Sequence, residues 1–352
     1  AHDRGMGVRR VRLVAIGVLL LAACSSGGDT GPTSTDVVPD DADSGSDGEA
    51  NPAGGDGSLD YDLSLFEPLG ADVGPTSRTA ARTTLAPLFP APIGGEPVIS
   101  ADGRKVAYFT VDPEFAGDSG EGQVVVGDLL TGEIELASRG LDGGPGNGGS
   151  YRPTLSADGR YVAFDSSATN LVQNDTNEAP DVFRYDTLSG RLRRVSVAEG
   201  GRELSQHSSH AAISGDGRTI AFKVRGPDDD QPADFTPDCR DGPNIVVWTA
   251  GGDGLECVSV TSEGIPSDRI RTASSVSDAP AVNYDGRFVA FQTRAPLDLE
   301  DDDGNQDIYV IDRETGLVEL VSGGDADSEA EYAAISASGR YVAFTSTSPD
   351  LV

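Results

Sequence analysis

Histidine, lysine, cysteine and long apolar runs are all scarce in this chain of 352 residues with three His. Three His exclude a histidine-rich metal centre, and His207-Ser-Ser-His210 lacks the glutamate and the helix of a zinc site. Lysine occurs only at positions 105 and 223 and the net charge is -32, so attraction to nucleic acid is excluded and the acidity serves solvation. No Gly-x-Ser-x-Gly elbow is present, which removes an α/β-hydrolase domain from this sequence. Gly117-Asp-Ser-Gly120 has the letters of a serine-protease nucleophile loop, but His207 and His210 both follow it, where that chemistry puts its base upstream. The one long apolar run, Leu13 to Leu21, is too short to span a membrane.

What is present is a phrase written five times: Ser100-Ala-Asp-Gly-Arg-Lys-Val-Ala-Tyr108, Ser156-Ala-Asp-Gly-Arg-Tyr-Val-Ala-Phe164, Ser214-Gly-Asp-Gly-Arg-Thr-Ile-Ala-Phe222, Asn283-Tyr-Asp-Gly-Arg-Phe-Val-Ala-Phe291 and Ser336-Ala-Ser-Gly-Arg-Tyr-Val-Ala-Phe344. Its glycine recurs at 103, 159, 217, 286 and 339, a period that suits one four-stranded blade with a generous loop. The Asp-Gly pair predicts a tight turn with a residue at positive φ. Val-Ala-Phe predicts a strand with both faces buried. A third strand recurs as Asp181-Val-Phe-Arg-Tyr-Asp186, Asn244-Ile-Val-Val-Trp248 and Asp307-Ile-Tyr-Val-Ile-Asp312, and Thr-Gly or Ser-Gly turns lead into a fourth. The expected fold is all-β, a β-propeller of four-stranded antiparallel blades, with about four complete blades and a truncated fifth.

These residues resemble the TolB-like, WD40-like β-propeller repeat, over roughly residues 95 to 352. The α/β domain that the Tol-system protein carries ahead of its propeller has no counterpart in the short, Pro-rich stretch from Leu59 to Pro92. Because the fifth copy stops at Pro349-Asp-Leu-Val352, the gene is expected to continue for further blades.

Arg9, Arg10 and Arg12 precede the apolar run, which ends in Leu21-Ala-Ala-Cys24. This resembles a bacterial lipobox, and the resemblance implies that Cys24 is lipidated and that residues 1–24 are a lipoprotein signal peptide. An ordinary signal peptide is the alternative. Residues 25–58 are Gly, Ser, Asp, Pro and Thr with hardly an apolar side chain, a linker that cannot order itself. Residues 59–93 form an extended pre-propeller segment and residues 94–352 the propeller. With the linker as a tether of roughly 45 Å reach, the expected location is the cell envelope, periplasmic or at the surface. Cys239 and Cys257 suit a disulfide in an oxidising compartment, against two buried thiols or an incomplete metal pair.

Aligning the repeats four residues before each Ser or Asn stacks Glu96, Arg152, His210, Ala279 and Tyr332, with Gly95, Tyr151, Ser209, Asp278 and Glu331 beside them. In propellers this end of the innermost strand faces the mouth of the axial channel, so Glu96, Arg152, His210, Asp278, Glu331 and Tyr332 are candidate binders of a protein or a small polar ligand. An enzyme, a hydrolase or lyase acting at that mouth, would have only Glu96, His210 and Asp278 for acid and base work; a purely structural envelope protein would need none of them. The loops Asp301-Asp-Asp-Gly-Asn-Gln-Asp307 and Asp175-Thr-Asn-Glu-Ala-Pro-Asp181 offer Asp301, Asp303, Asn305, Asp307, Asp175, Asn177 and Asp181 as oxygen ligands for Ca2+, or as turn caps.

Overall fold

In the computed structural model of the chain, the residues described are 10–15, 94–117, 120–225, 244–265, 267, 277–298, 301, 304–322 and 328–348. The chain divides into two units, Ala1–Ile16 with Ala80–Val352 and Gly17–Thr79, and every described residue belongs to the first. Cys24, Cys239 and Asp303 lie outside the described residues, as do the 25–58 linker and the pre-propeller segment 59–93.

Four blades are complete antiparallel sheets in simple chain order. The first holds β2 (Gly94–Ile99), β3 (Lys105–Thr110), β4 (Gln123–Asp128) and β5 (Ile134–Leu136). A four-residue helix, α1 (Pro113–Ala116), lies between β3 and β4. The second blade holds β6 (Ser150–Leu155), β7 (Tyr161–Ser166), β8 (Asp181–Asp186) and β9 (Arg191–Arg194). The third holds β10 (Ser208–Ile213), β11 (Thr219–Val224), β12 (Asn244–Thr249) and β13 (Leu255–Cys257). The fourth holds β14 (Asp278–Val282), β15 (Phe288–Thr293), β16 (Asp307–Asp312) and β17 (Leu317–Leu320). The fifth has β18 (Ala330–Ile335) and β19 (Tyr341–Ser346). Its third place is taken by β1 (Arg10–Ala15), from the expected leader, paired antiparallel with β19 from Arg10↔Ser346 to Ala15↔Tyr341. An open strand edge offers a row of unpaired N–H and C=O groups, and the extended backbone of Arg10–Ala15 pairs with them.

Each letter of the repeated phrase has a structural task. The Ser hydroxyl donates to the Asp carboxylate and accepts from the first residue of the second strand: Ser156 Oγ to Asp158 Oδ1 is 2.6 Å and Tyr161 N to Ser156 Oγ is 2.9 Å. The Asp also accepts the N–H of the Arg, Arg160 N to Asp158 Oδ1 at 3.0 Å, so the turn is locked from both sides. The Arg grips the Asp that ends the third strand: Arg160 reaches Asp186 at 3.1 and 3.0 Å, and Arg287 reaches Asp312 at 2.8 and 2.7 Å. The turns also link blade to blade, Ala101 N donating to Ala157 O and Ala157 N to Gly215 O, both at 2.8 Å.

Val-Ala-Phe alternates across the sheet, and the core lies in the seams between blades. Val162 and Phe164 of β7 pack toward the first blade, with Phe183 and Tyr185 of β8, while Ala163 faces the third blade. The pattern repeats with Ile220, Phe222 and Ala221, and again with Val289, Phe291 and Ala290. Large residues on one face and alanine on the other let neighbouring sheets interdigitate.

Candidate functional site

All five innermost strands carry the same bulge. Pairing runs Tyr151↔Asp165 and then Thr154↔Ala163, so β6 holds one residue more than β7 across the interval. The shift recurs between Gly95 and Val98, Ser209 and Ala212, Asp278 and Ala281, and Glu331 and Ala334. At the bulge stand the aligned residues Glu96, Arg152, His210, Ala279 and Tyr332, each left-handed, with φ of 56°, 52°, 55°, 44° and 57°. None is glycine, although the chain has 45 glycines and uses them freely in its turns. A non-glycine residue in this region costs about 1–2 kcal/mol. Five such costs in register set these side chains apart from ordinary sheet residues.

The bulges are wired together across the blades. Arg152 N donates to Glu96 Oε2 of the first blade at 2.9 Å. The Arg152 guanidinium makes a two-pronged pair with Asp165, Nε to Oδ1 at 3.0 Å and Nη2 to Oδ2 at 2.5 Å. Lys223 Nζ lies 2.8 Å from Asp278 Oδ2 of the next blade, whose other oxygen is 3.7 Å from His210 Nδ1. Tyr332 N donates to Gln292 Oε1 at 2.9 Å, and its ring is exposed. Glu331 sits beside it on β18, its carbonyl accepting from Thr345 Oγ1 at 3.0 Å. With the His210 backbone N–H donating to Asp165, Glu96, Arg152, His210 and Asp278 form one connected patch, and Glu331 and Tyr332 occupy the matching bulge of the fifth blade. Asp165, Lys223 and Gln292 complete this ring and were missed by sequence reasoning. They share a column, the residue just after the repeated aromatic, where Phe109 and Thr345 also stand.

Burial and neighbouring charges shift His210, Asp278 and Asp165 of the patch. Burial, with the nearby Arg152 and Lys223 charges, pushes the His210 imidazole down against the pull of Asp278. His207 is lowered by burial and by Arg225. Burial works upward on Asp278, but the bond and charge of Lys223 outweigh it and keep that carboxyl low. Burial raises Asp165 to about 6 in spite of Arg152. Ser209 Oγ and Asp278 both approach the same ring nitrogen, His210 Nδ1, at 3.1 and 3.7 Å. A nucleophile relay needs the nucleophile and the orienting carboxylate on opposite nitrogens of the base, so these three do not form one.

The two acidic loops find partners within the chain. In the four complete blades the third strand opens on a residue that accepts from a serine two positions past the end of the fourth strand: Ser138 to Gln123 at 2.7 Å, Ser196 to Asp181 at 2.5 Å, Ser259 to Asn244 at 2.9 Å and Ser322 to Asp307 at 2.6 Å. A position filled equally by Gln and Asn works as a hydrogen-bond acceptor, and Asp181 and Asp307 have that role here. Asn177 Oδ1 caps the loop by accepting from Ala179 N at 3.0 Å, and its amide donates to Leu204 O at 2.8 Å. Asp301 accepts from the Tyr309 hydroxyl. Asn305 stands two residues before the start of β16. Asp175, Asp181 and Glu203 do cluster, their oxygens within 4.8 Å of one another, but the Arg194 guanidinium sits among them at 3.5, 3.0 and 2.6 Å. The positive charge at this loop is built in.

No family model and no curated protein matches the chain. Among solved structures it is similar to TolB from Acinetobacter baumannii, at 17% identity over 73% of this chain and 55% of that one, TM-score 0.38. A putative TolB from Agrobacterium tumefaciens shows 18% identity over 70% and 72% of the two chains, TM-score 0.40. The β-propeller domain of the Trilobed protease from Pyrococcus furiosus shows 15% identity over 69% and 62%, TM-score 0.41. The chain spans about half the length of the Acinetobacter protein. The fold, established by the four-stranded blades themselves, is that of a β-propeller, and TolB proteins are among the structures it is similar to.

Proposed function

We propose that this chain is a lipid-anchored, extracytoplasmic β-propeller that binds a small polar or peptide ligand at the ring of inner-strand bulges. One observation carries the reading: five non-glycine residues of unlike chemistry are held left-handed at one structural position. If the bulge served only to bend the strand, glycine would do so at lower cost, so the side chains are kept for what they present. Because Arg152 and Lys223 each hold a carboxylate in the resting protein, a ligand must exchange into existing ion pairs. This favours a zwitterion or a peptide, offering one charge of each sign, over a lone anion. A thermal-shift screen of the intact protein against dipeptides and charged monosaccharides tests it. At least one member should raise the melting temperature of the native chain, and that rise should vanish in Arg152→Ser with Lys223→Ser. If every rise seen is equal in the two proteins, the ring is not the binding site.

The leader supports the location. Arg10 and Arg12, the apolar run and Leu21-Ala-Ala-Cys24 fit export with lipid on Cys24, and the 25–58 linker fits a tether between membrane and propeller. In the envelope, Cys239 and Cys257 pair as a structural disulfide, closing a loop for which about 3 kcal/mol of stabilisation is expected. Metabolic labelling with a fatty acid should mark the native chain and leave Cys24→Ala unlabelled. Equal labelling of both would overturn the anchor while leaving the ring reading intact.

A further inference from the structure

The seam between the second and third blades breaks a rule that the other blades keep. On three blades, one cross-strand pair of the third and fourth strands is a valine opposite a glutamate: Val126↔Glu135, Val247↔Glu256 and Val310↔Glu319. Two of these glutamates reach across a seam to a donor on the next blade. Glu135 Oε2 accepts from the Tyr185 hydroxyl at 3.0 Å, and Glu256 Oε2 accepts from Arg313 Nε at 3.0 Å and Nη2 at 2.5 Å. In the second blade the same pair is Arg184↔Arg193. Like charges directly opposite across a sheet are destabilising.

Aromatic rings carry part of that burden. The Arg184 guanidinium carbon lies 3.7 Å from the Tyr161 ring centroid and 5.4 Å from that of Trp248, and the Arg193 carbon lies 5.1 Å from Trp248. Rings attract a cation but accept none of the directional bonds a guanidinium fork offers. Arg184 Nε is buried without a hydrogen-bond partner. The neighbouring carboxylate, Asp186, has both oxygens engaged by Arg160 at 3.1 and 3.0 Å. Among the described residues, neither Arg184 nor Arg193 forms an ion pair.

We propose that Arg184 and Arg193 form an oxyanion site at this seam, taking the phosphate or carboxylate group of a solute in place of the carboxylate that neighbouring seams supply. Two guanidinium forks present paired donors that match either group. The site stands apart from the ring of bulges, on the third and fourth strands, and does not depend on the function proposed there. In a chain of net charge -32 it is a local positive spot that, among the described residues, has no carboxylate in ion-pair contact.

Trp248 is the chain's single tryptophan and lies under both guanidinium groups, so it reports on the site directly. The native protein is titrated with inorganic phosphate, with acetate and with chloride at matched ionic strength, following Trp248 emission and melting temperature. Phosphate, acetate or both should give a saturable emission change and a rise in melting temperature beyond chloride, and the more effective anion names the source. Arg193→Gln should weaken that apparent affinity roughly tenfold or more, the loss expected for a charge-assisted pair of bonds. Arg191→Gln, an exposed neighbour on β9 away from Trp248, should stay within about twofold of native. Responses no greater than those to chloride, or equal losses in Arg193→Gln and Arg191→Gln, would reduce the effect to charge screening and overturn the site.

Discussion

Gly217→Ala should destabilise the protein by about 2–5 kcal/mol, while Gly132→Ala should cost only about 1–2 kcal/mol, both read from urea unfolding. The two glycines have nearly the same backbone, φ of 69° and 77°, so an added Cβ meets the same left-handed penalty. They differ in what stands nearby. A Cβ on Gly132 meets nothing within 4 Å. On Gly217 it would overlap Cδ2 of Tyr161 in the second blade and come within 3.2 Å of Ser156 Cβ. Tyr161 has little room to yield, because the Arg184 and Arg160 guanidinium carbons lie 3.7 and 4.8 Å from its ring centroid. The overlap therefore adds an overpacking cost to the backbone cost. Gly159, Gly286 and Gly339 meet Lys105, Thr219 and Phe288 of their preceding blades in the same way. Equal losses at Gly132 and Gly217 would mean that the seam opens freely and that the glycine is needed only for its turn.

The same geometry explains what could be read in the sequence. Ser-x-Asp-Gly-Arg-x-Val-Ala-Phe was legible because every letter is bound locally or to the adjoining blade, and such demands recur at each seam. The bulge residues surfaced once the repeats were aligned, as the column where chemistry varies on a fixed frame. Asp165, Lys223 and Gln292 stayed hidden because a polar residue following an apolar alternation looks like any strand end. The acidic loops could be read in two ways. Asp181 and Asp307 have the density of cation ligands, yet Gln123 and Asn244 at the same strand entry show that a hydrogen-bond acceptor is the shared requirement. Arg194 and Glu203 were invisible as partners of Asp175, since separations of 19 and 28 positions give no period to read. Pairing of Arg10–Ala15 with β19 had no sequence signal either, for an edge accepts extended backbone with little regard to side chains.

Arg194→Gln should be the most damaging single change at an ionic site, costing about 3–5 kcal/mol at pH 7.5, because it leaves buried carboxylates without their cation. The Arg194 side chain is 8% exposed, and those of Asp175 and Asp181 are 2% and 1% exposed. Burial already raises Asp175, and raises Asp181 to about 6 against the pull of Ser196 and Arg194. Glu203 goes the other way: burial works upward, and bonds from Thr176 and Arg194 hold it low. For a carboxyl raised in the folded state, the native protein holds more protons than the unfolded chain between the ordinary value near 4 and the raised one. Stability then falls as pH rises through that window. These raised carboxyls, Asp165 among them, favour pH 5 over pH 7.5, while the lowered His207 and His210 act in the opposite sense below 6.5, so the part due to Asp181 and Asp175 is read as the difference between the native chain and Arg194→Gln. In Arg194→Gln the fall should be steeper, since the removed charge was what favoured ionisation of Asp181 and Asp175, and much of the lost stability should return by pH 5. Three carboxylates with oxygens within 4.8 Å and no guanidinium among them also become a hard-oxygen site. Millimolar Ca2+ should then raise the melting temperature of the variant at pH 7.5 by more than equal Mg2+, through binding to the folded state alone. A loss below about 1 kcal/mol at pH 7.5, or one of the same size at pH 5, would mean that solvent rather than Arg194 balances this cluster.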